Sequence, residues 1–289
     1  MNWQLAQLNI ARMKAPLDDP AMQGFTDGLD AMNSLAESSE GFVWRLQGEG
    51  GNATQLSPFE DPLILVNMSV WQNIDSLKSY AYKGNHKEFI KSRRNWFGEL
   101  GDVHQVLWWV PSGTQPSETE AKSRLEMLRN RGTSPWGFLF KSSVEAPQCE
   151  GITELTLSQH AELLKHSGLN TEDFSLLSTQ ELLHARHCEQ LLAGIAIQEL
   201  EGHGLLRSLV VAEEVRGAGL ARDLVALAVD RSKKRGLESL FLLTQSASQY
   251  FERLGFRHHD RRSVPPGIAR SSQFSELCPD DSDCLMLKL

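Results

Sequence analysis

The sequence predicts an α+β protein of two domains. Strand-like and helix-like segments alternate along the whole chain. Its 289 residues exceed what a single core usually organises, and a polar, proline-containing stretch, KSSVEAPQCEG (141–151), interrupts the pattern near the middle. The boundary falls there, giving domains 1–145 and 146–289.

In the first half WQLAQLNIARM (3–13) reads as a strand and PAMQGFTDGLDAMNSLAESS (20–39) as a loosely patterned helix. GFVWRL (41–46) is a short strand, EGGNATQLSPFED a polar loop, and PLILVNMSVWQN (62–73) the strongest strand of this half. Asp75 is placed to cap a helix running through Tyr82, and NHKEFIKSRRNWFGELG (85–101) reads as a second helix. VHQVLWWVP (103–111) is a strand stopped by proline, which lacks an N–H for the ladder. SETEAKSRLEMLRNRG (117–132) is a helix closed by Gly132, and WGFLF (136–140) is expected as an edge strand.

In the second half a helix is expected from about Ser158. LLAGIAIQEL (191–200) and LLRSLVVA (205–212) flank EGHG as a hairpin. The helix LARDLVALAVDRSKKRG follows, with Leu220, Leu224, Leu227 and Ala228 on its inner face and Gly236 at its end. SLFLLT (239–244) is a buried-type strand, SASQYFERLG (246–255) a short helix, and FRHHDRR and CLMLKL late strands.

Composition excludes several classes. Apolar residues make up 40% and charged residues 23%, as in a soluble globular protein. A formal charge of −8 argues against a nucleic-acid partner. No apolar run reaches bilayer-spanning length, and the N-terminus has neither a basic nor an unbroken apolar region; a cytoplasmic location is expected. Cys149, Cys188, Cys278 and Cys284 match no zinc framework and read as ordinary thiols, with Cys278 and Cys284 the one pair near enough for a soft metal or redox role. His258 and His259 fall on opposite faces of a strand, and no metal site is expected.

The chemistry concentrates in SLVVAEEVRGAGLARDLV (208–225), where Gly217 and Gly219 stand between a strand and a helix. A turn there leaves backbone N–H groups at a positive helix end, which suits a phosphate, although the same pattern serves a plain turn. A nucleotide P-loop is excluded because no Lys-Ser or Lys-Thr follows. A dinucleotide fingerprint is excluded because Arg222 occupies its third glycine position and SLFLLT ends without an acid for the ribose. Arg207, a charge in an apolar strand, needs either a carboxylate partner or an anionic ligand. Substrate-carboxylate recognition and a structural ion pair both stand.

Arg216, Gly217, Ala218, Gly219, Leu220 and Ala221, followed by FERLGF (251–256), resemble motif A and its sequel in the GNAT superfamily of acyl-CoA N-acyltransferases. The resemblance implies acetyl-CoA as cofactor, held at its pyrophosphate by the N–H groups of 217–221. It also implies a mixed central sheet, splayed so that the strand 205–212 meets pantetheine, with the N–H of Leu209, Val210 or Val211 aimed at the thioester oxygen. The Thr244 hydroxyl is a further pantetheine contact or a simple helix cap. Where many relatives carry a tyrosine as general acid this chain has Phe251; adjacent Tyr250 points about 100° away on a helix and is the substitute candidate. Glu199, Glu201 and His203 are candidate bases, or polar residues around a hairpin. LLRSLVV (205–211), LLT (242–244), RSVPPGI (262–268) and FSELCP (274–279) are similar to N-acetyltransferases of bacterial arsenic-resistance clusters. That resemblance implies a small amine acceptor, an amino acid or toxic analogue, with Arg262 and Arg270 as secondary carboxylate holders beside Arg207. The competing reading is a CoA-binding or sensor module without catalysis, motivated by Phe251.

KAPLDDPAMQGF, GFVWRL, SVWQNIDSLKSYAYKGNH, RRNWF and LWWVPSG resemble an uncharacterised family grouped with the ferredoxin-like, monooxygenase-type dimeric α+β barrels. This implies a fold and pairing into a homodimer through the N-terminal domain, but no reaction. His86, Arg93, Trp96 and Trp71 are candidates for an aromatic pocket that binds a small molecule or supports an oxidative activity; core and dimer packing is the other reading.

Overall fold

The computed structural model describes residues 3–48, 51–54, 56, 58–82, 92–146, 154–171, 174, 180–187 and 190–289. The chain divides into two compact units, Met1–Pro147 and Gln148–Leu289.

The first unit runs β1 (Trp3–Arg12), α1 (Gln23–Glu37), β2 (Phe42–Arg45), β3 (Ile64–Trp71), α2 (Ile74–Tyr82), β4 (Gln105–Pro111) and α3 (Glu118–Arg131). Its four strands form an antiparallel sheet in the order β2-β3-β1-β4. Alternation along β1 supplies two cores. Ala6 and Leu8, opposite Val70 and Met68 on β3 and Trp108 and Val106 on β4, face Ala121, Leu125 and Leu128 of α3. Leu5, Trp71, Leu107 and Trp109 pack on the other side with Leu77 and Phe138. The α3 helix starts where Ser117 Oγ accepts the Glu120 N–H at 3.1 Å, and ends at Gly132, whose N–H donates to the Leu128 carbonyl.

Three expectations for this unit are corrected. The cap of α2 is Asn73, whose Oδ1 accepts the Ser76 N–H at 2.9 Å, while Asp75 lies inside the first turn. The expected helix 85–101 lies partly outside the described residues; its described part ends in a single 3-10 turn at Arg93–Asn95. From there the chain bends so that Phe97 bridges Met13. WGFLF is no strand: it makes two isolated bridges, Phe138 with Leu107 and Gly137 with Ser134.

The second unit runs α4 (Glu154–His166), β5 (Gln180–His187), β6 (Gln190–Leu200), β7 (His203–Val211), α5 (Leu220–Lys234), β8 (Ser239–Thr244), α6 (Ser248–Arg253), β9 (Arg257–His258), α7 (Pro266–Ala269) and β10 (Asp283–Lys288). The sheet order is β5-β6-β7-β8-β10-β9, antiparallel except between β7 and β8, so the sheet is mixed. The expected inner residues Leu220, Leu224, Leu227 and Ala228 of α5 are buried. A Cβ on Gly204 would stand 2.5 Å from Leu240, so the parallel β7–β8 contact requires glycine there. The helix α4 begins four residues before Ser158. The FRHHDRR strand shrinks to two residues followed by a 3-10 turn at Arg261–Ser263, and β5 is a strand that the sequence pattern did not mark.

The two faces of this sheet are distinct. Glu181, Ile197 and Glu199 look toward α5, where Arg231 and Arg235 hold Glu181 and Arg235 also holds Glu199. His184, Gly194 and Val210 form a row across three strands on the opposite face, toward α4.

Candidate functional site

After β7 the chain makes a 3-10 turn at Glu213–Val215 and enters α5 through Arg216–Gly219. Gly217 has φ +80° and Gly219 φ +74°, the left-handed region that favours glycine. Gly219 is the N-cap of the 15-residue α5 and offers no side-chain acceptor, so the first-turn N–H groups stay available to an external one. Ala218 is fully buried and Leu220 nearly so, fixing the turn from beneath. Arg216 is exposed and its Nε donates to the Val211 carbonyl at 3.3 Å; Ala221 is partly exposed. These residues therefore fit an anionic diphosphate: donors at a positive helix end, with Gly217 exposed and Gly219 partly exposed.

The strand leading into the turn is interrupted. Ala196 pairs with Arg207 and Gly194 with Val210, so two β7 residues, Ser208 and Leu209, stand against Ile195 alone. Ser208 has φ +55°, giving a β-bulge with a non-glycine residue in the left-handed region. Pairing of β7 with β8 is confined to Gly204↔Leu240 and Leu205↔Phe241. Leu209 and Val211 are partly exposed and Val210 is buried.

Arg207 is 6% exposed and its Nη1 lies 3.5 Å from Gln198 Oε1. Leu205, two residues earlier on the same face, packs against Val264, Ile268 and Phe274. The RSVPPGI–FSELCP segment thus walls the face on which Arg207 lies. Arg262 is exposed, and Arg270 is exposed and pairs with Glu201.

The three candidate bases go to different partners. Glu199 pairs with Arg235 on the α5 face, Glu201 sits in the β6–β7 turn with φ +50° and pairs with Arg270, and His203 Nδ1 meets Ser239 Oγ at 2.8 Å. Thr244 Oγ1 accepts the Ala247 N–H at 3.0 Å, a capping contact at the entry to α6. Phe251 is 7% exposed, with its ring edge-on to Phe256 at 5.7 Å; Tyr250 stacks edge-on to Phe251 at 5.4 Å.

Two histidines escaped the sequence reading. His160 on α4 is fully buried, with Nε2 2.9 Å from the Ser208 carbonyl oxygen and Nδ1 3.2 Å from His184 Nε2. Burial lowers the His160 pKa to about 4; burial, His160 and Arg186 lower that of His184 to about 3, so both rings are neutral at physiological pH. The available clue was position: His160 lies on the apolar stripe of Leu157 and Leu164, where a polar ring needs partners.

Among the N-terminal candidates His86 lies outside the described residues. Trp71 is fully buried and stacked on Tyr80 at 5.1 Å, whereas Trp96 packs with Phe25 at 6.0 Å in a separate cluster around Met13 and Met22. Arg93 is exposed. The described members of the expected pocket do not converge.

Among the described residues, no group of three or more His, Cys, Asp and Glu is placed to hold a metal, and no helix is long and apolar enough to cross a membrane. Cys278 is partly exposed and Cys284 is buried, its thiol pushed up to about 11 by burial.

Comparison with known proteins gives two family matches. Residues 4–154 match the family described as Domain of unknown function (DUF3291), and residues 150–256 match the Acetyltransferase (GNAT) family. No curated protein matches the chain. Among solved structures, a GNAT-family acetyltransferase from Staphylococcus aureus is similar at 13% identity and TM-score 0.41, covering 49% of this chain and 98% of that one. N-acetylglutamate synthase from Neisseria gonorrhoeae, complexed with coenzyme A and L-arginine, is similar at 16% identity and TM-score 0.42, covering 53% of this chain and 35% of that one. A Mycobacterium tuberculosis protein in complex with CoA is similar at 17% identity and TM-score 0.43, covering 50% of this chain and 99% of that one.

Proposed function

Since the chain belongs to the Domain of unknown function (DUF3291) family and carries a GNAT acetyltransferase domain that uses acetyl-CoA, we propose that its second half acetylates the amino group of a small amino acid or amino-acid analogue. The observation that carries this reading is the Gly217–Gly219 turn, two positive-φ glycines presenting the N-terminus of α5. Backbone N–H groups of residues 217–221 hold the pyrophosphate. When bound, acetyl-CoA supplies a thioester carbonyl activated toward an amine.

Splaying of β7 from β8 is supported by the pairing that stops at Leu205, which leaves Leu209 or Val211 to donate an N–H to the carbonyl oxygen, whereas the register with β6 turns the Val210 N–H toward Gly194. Arg207 orients the acceptor through its carboxylate, supported by its burial on the face walled by Val264, Ile268 and Phe274. Similarity of that wall to arsenic-resistance N-acetyltransferases favours a toxic amino-acid analogue as acceptor. The transferase domain occupies residues 146–289 of a cytoplasmic enzyme. Residues 1–145 form a ferredoxin-like unit that pairs two copies; the β-α-β-β-α-β order and the antiparallel β2-β3-β1-β4 sheet support that fold.

Titration with acetyl-CoA followed by thiol release across a panel of amino acids tests the proposal. Saturable binding and acceptor-dependent thiol release are expected; a folded sample that does not bind acetyl-CoA overturns it. One observation favours a second reading, a CoA-binding module without catalysis: Phe251, at the usual tyrosine position, is buried against Phe256 and has no proton to give. Binding without thiol release from any acceptor would establish that reading.

A further inference from the structure

We infer that His160 is a positioning residue for acetyl transfer: its imidazole clamps the Ser208 carbonyl and so fixes the bulge that aims the Leu209 N–H group. The inference rests on the reading that this stretch of β7 meets the thioester.

Ser208 and Glu201 are the non-glycine residues with positive φ among the described residues. Glu201 sits in a hairpin turn, where such a conformation is common. Ser208 sits within a strand, where it persists only if its surroundings over-determine it. Those surroundings are visible. His160 Nε2 lies 2.9 Å from the Ser208 oxygen, and the ring is packed edge-on to Phe174 at 4.7 Å. The ring rests directly over Gly194, where a Cβ would stand 2.7 Å from its Cε1.

The hydrogen-bond directions follow from chemistry. A carbonyl oxygen only accepts, so His160 carries its proton on Nε2. In the neutral ring Nδ1 then accepts, and the His184 Nε2–H, 3.2 Å away, must donate to it. Burial keeps both rings neutral, so one tautomer of each is selected and the chain His184→His160→Ser208 has a single direction. Its endpoint is the residue whose left-handed twist sets the direction of the next amide, that of Leu209. An N–H that serves a transition-state oxyanion must be placed before the charge develops, and its misplacement costs rate without costing cofactor affinity.

The test combines three variants with a spectrum of the wild type. His160→Phe keeps the aromatic bulk and removes both hydrogen bonds. Gly194→Ala leaves the imidazole intact but displaces it. His160→Gln retains an N–H donor. For the first two, kcat is expected to fall about tenfold or more while acetyl-CoA Kd stays within about twofold, with partial recovery in His160→Gln. A fall in melting temperature with kcat per folded molecule unchanged would reduce His160 to a core residue and overturn the inference. Imidazole nitrogen-15 NMR of the wild type reads the chain directly: Nε2–H on both rings supports it, and Nδ1–H on His160 overturns it even if the variants fail to fold. An absence of acetyl transfer by the wild type would instead defeat the functional reading, an outcome separate from the tautomer result.

Discussion

Glu120 and Arg124 stand one helical turn apart on α3 and bury opposite charges together, Arg124 Nη2 lying 3.6 Å from Glu120 Oε1. The same carboxylate oxygen accepts the Trp108 Nε1–H at 3.1 Å, and Arg124 Nη1 donates to the Trp136 carbonyl at 3.0 Å. The arginine is fully buried and the acid 4% exposed, so removing either partner strands a charge in the core. Glu120→Ala is expected to cost about 3–5 kcal/mol, while the double variant Glu120→Leu/Arg124→Met, which removes both charges, loses less. All 7 tryptophans precede residue 137, so the denaturant dependence of tryptophan fluorescence measures unfolding of the first unit alone. A double variant that loses as much as the two single variants together would show that the pair is not energetically coupled.

That pair also marks what a sequence can and cannot disclose. The helix carrying it was legible from Gly132 and the apolar spacing, and β1, β3, β4, β8 and β10 were legible from their apolar runs. The glycine turn was legible because its conformation requires glycine locally. What escaped depends on partners distant in sequence. QELLHARH has the mixed polarity of a strand whose faces meet different helices, and only pairing with β6 makes it β5. The WGFLF run has the composition of a strand, yet isolated bridges to Leu107 and Ser134 are all it finds. Ser208 looks like any strand residue; its bulge exists because β7 carries one more residue than β6 across from it, and His160 reaches it from 48 residues away.

The neutral histidine pair predicts an acid limb in stability. A histidine with an unfolded pKa of about 6.5 and a folded value of about 4 binds more protons when unfolded throughout the interval between them. Stability is therefore full above about pH 6.5 and falls as pH drops, by at most about 1.4 kcal/mol per pH unit for each histidine, until the folded ring protonates. For His160 the window closes near pH 4 and for His184 near pH 3, the values to which burial lowers them. Calorimetric melting from pH 7 to pH 4 should show a shallower decline in His184→Gln, which supplies a donor that does not titrate. Parallel curves for the variant and the wild type would contradict the assignment.

Gly219→Glu should abolish acetyl-CoA binding and leave the first unit folded. At φ +74° a side chain costs roughly 1–2 kcal/mol of backbone strain, and the carboxylate opposes the pyrophosphate at the helix end. Gly219→Ala separates the two effects, since it keeps the strain without the charge and is expected to bind with intermediate affinity. Titration calorimetry with acetyl-CoA gives the affinities, and tryptophan fluorescence checks the first unit. Wild-type affinity in the glutamate variant would remove this turn from the cofactor site.

Arg207→Lys tests how the acceptor is held. The guanidinium is 6% exposed on the face walled by Val264, Ile268 and Phe274, with Gln198 Oε1 3.5 Å from Nη1. Lysine preserves the charge but loses the planar fork that grips a carboxylate through two parallel hydrogen bonds. Loss of one such charged hydrogen bond is worth roughly 1.5–3 kcal/mol, so kcat/KM for an amino-acid acceptor should fall roughly ten- to hundredfold. Acetyl-CoA affinity should hold, because the cradle is built from backbone N–H groups around Gly217 and Gly219. Steady-state kinetics on the best acceptor from the amino-acid panel, with a melting curve and an acetyl-CoA titration on the same sample, separates the outcomes. A joint loss of activity, stability and cofactor affinity would make Arg207 a structural partner of β6. No change at all would move acceptor recognition to Arg262 or Arg270; because Arg270 already pairs with Glu201, Arg262→Lys would then be the next variant to assay.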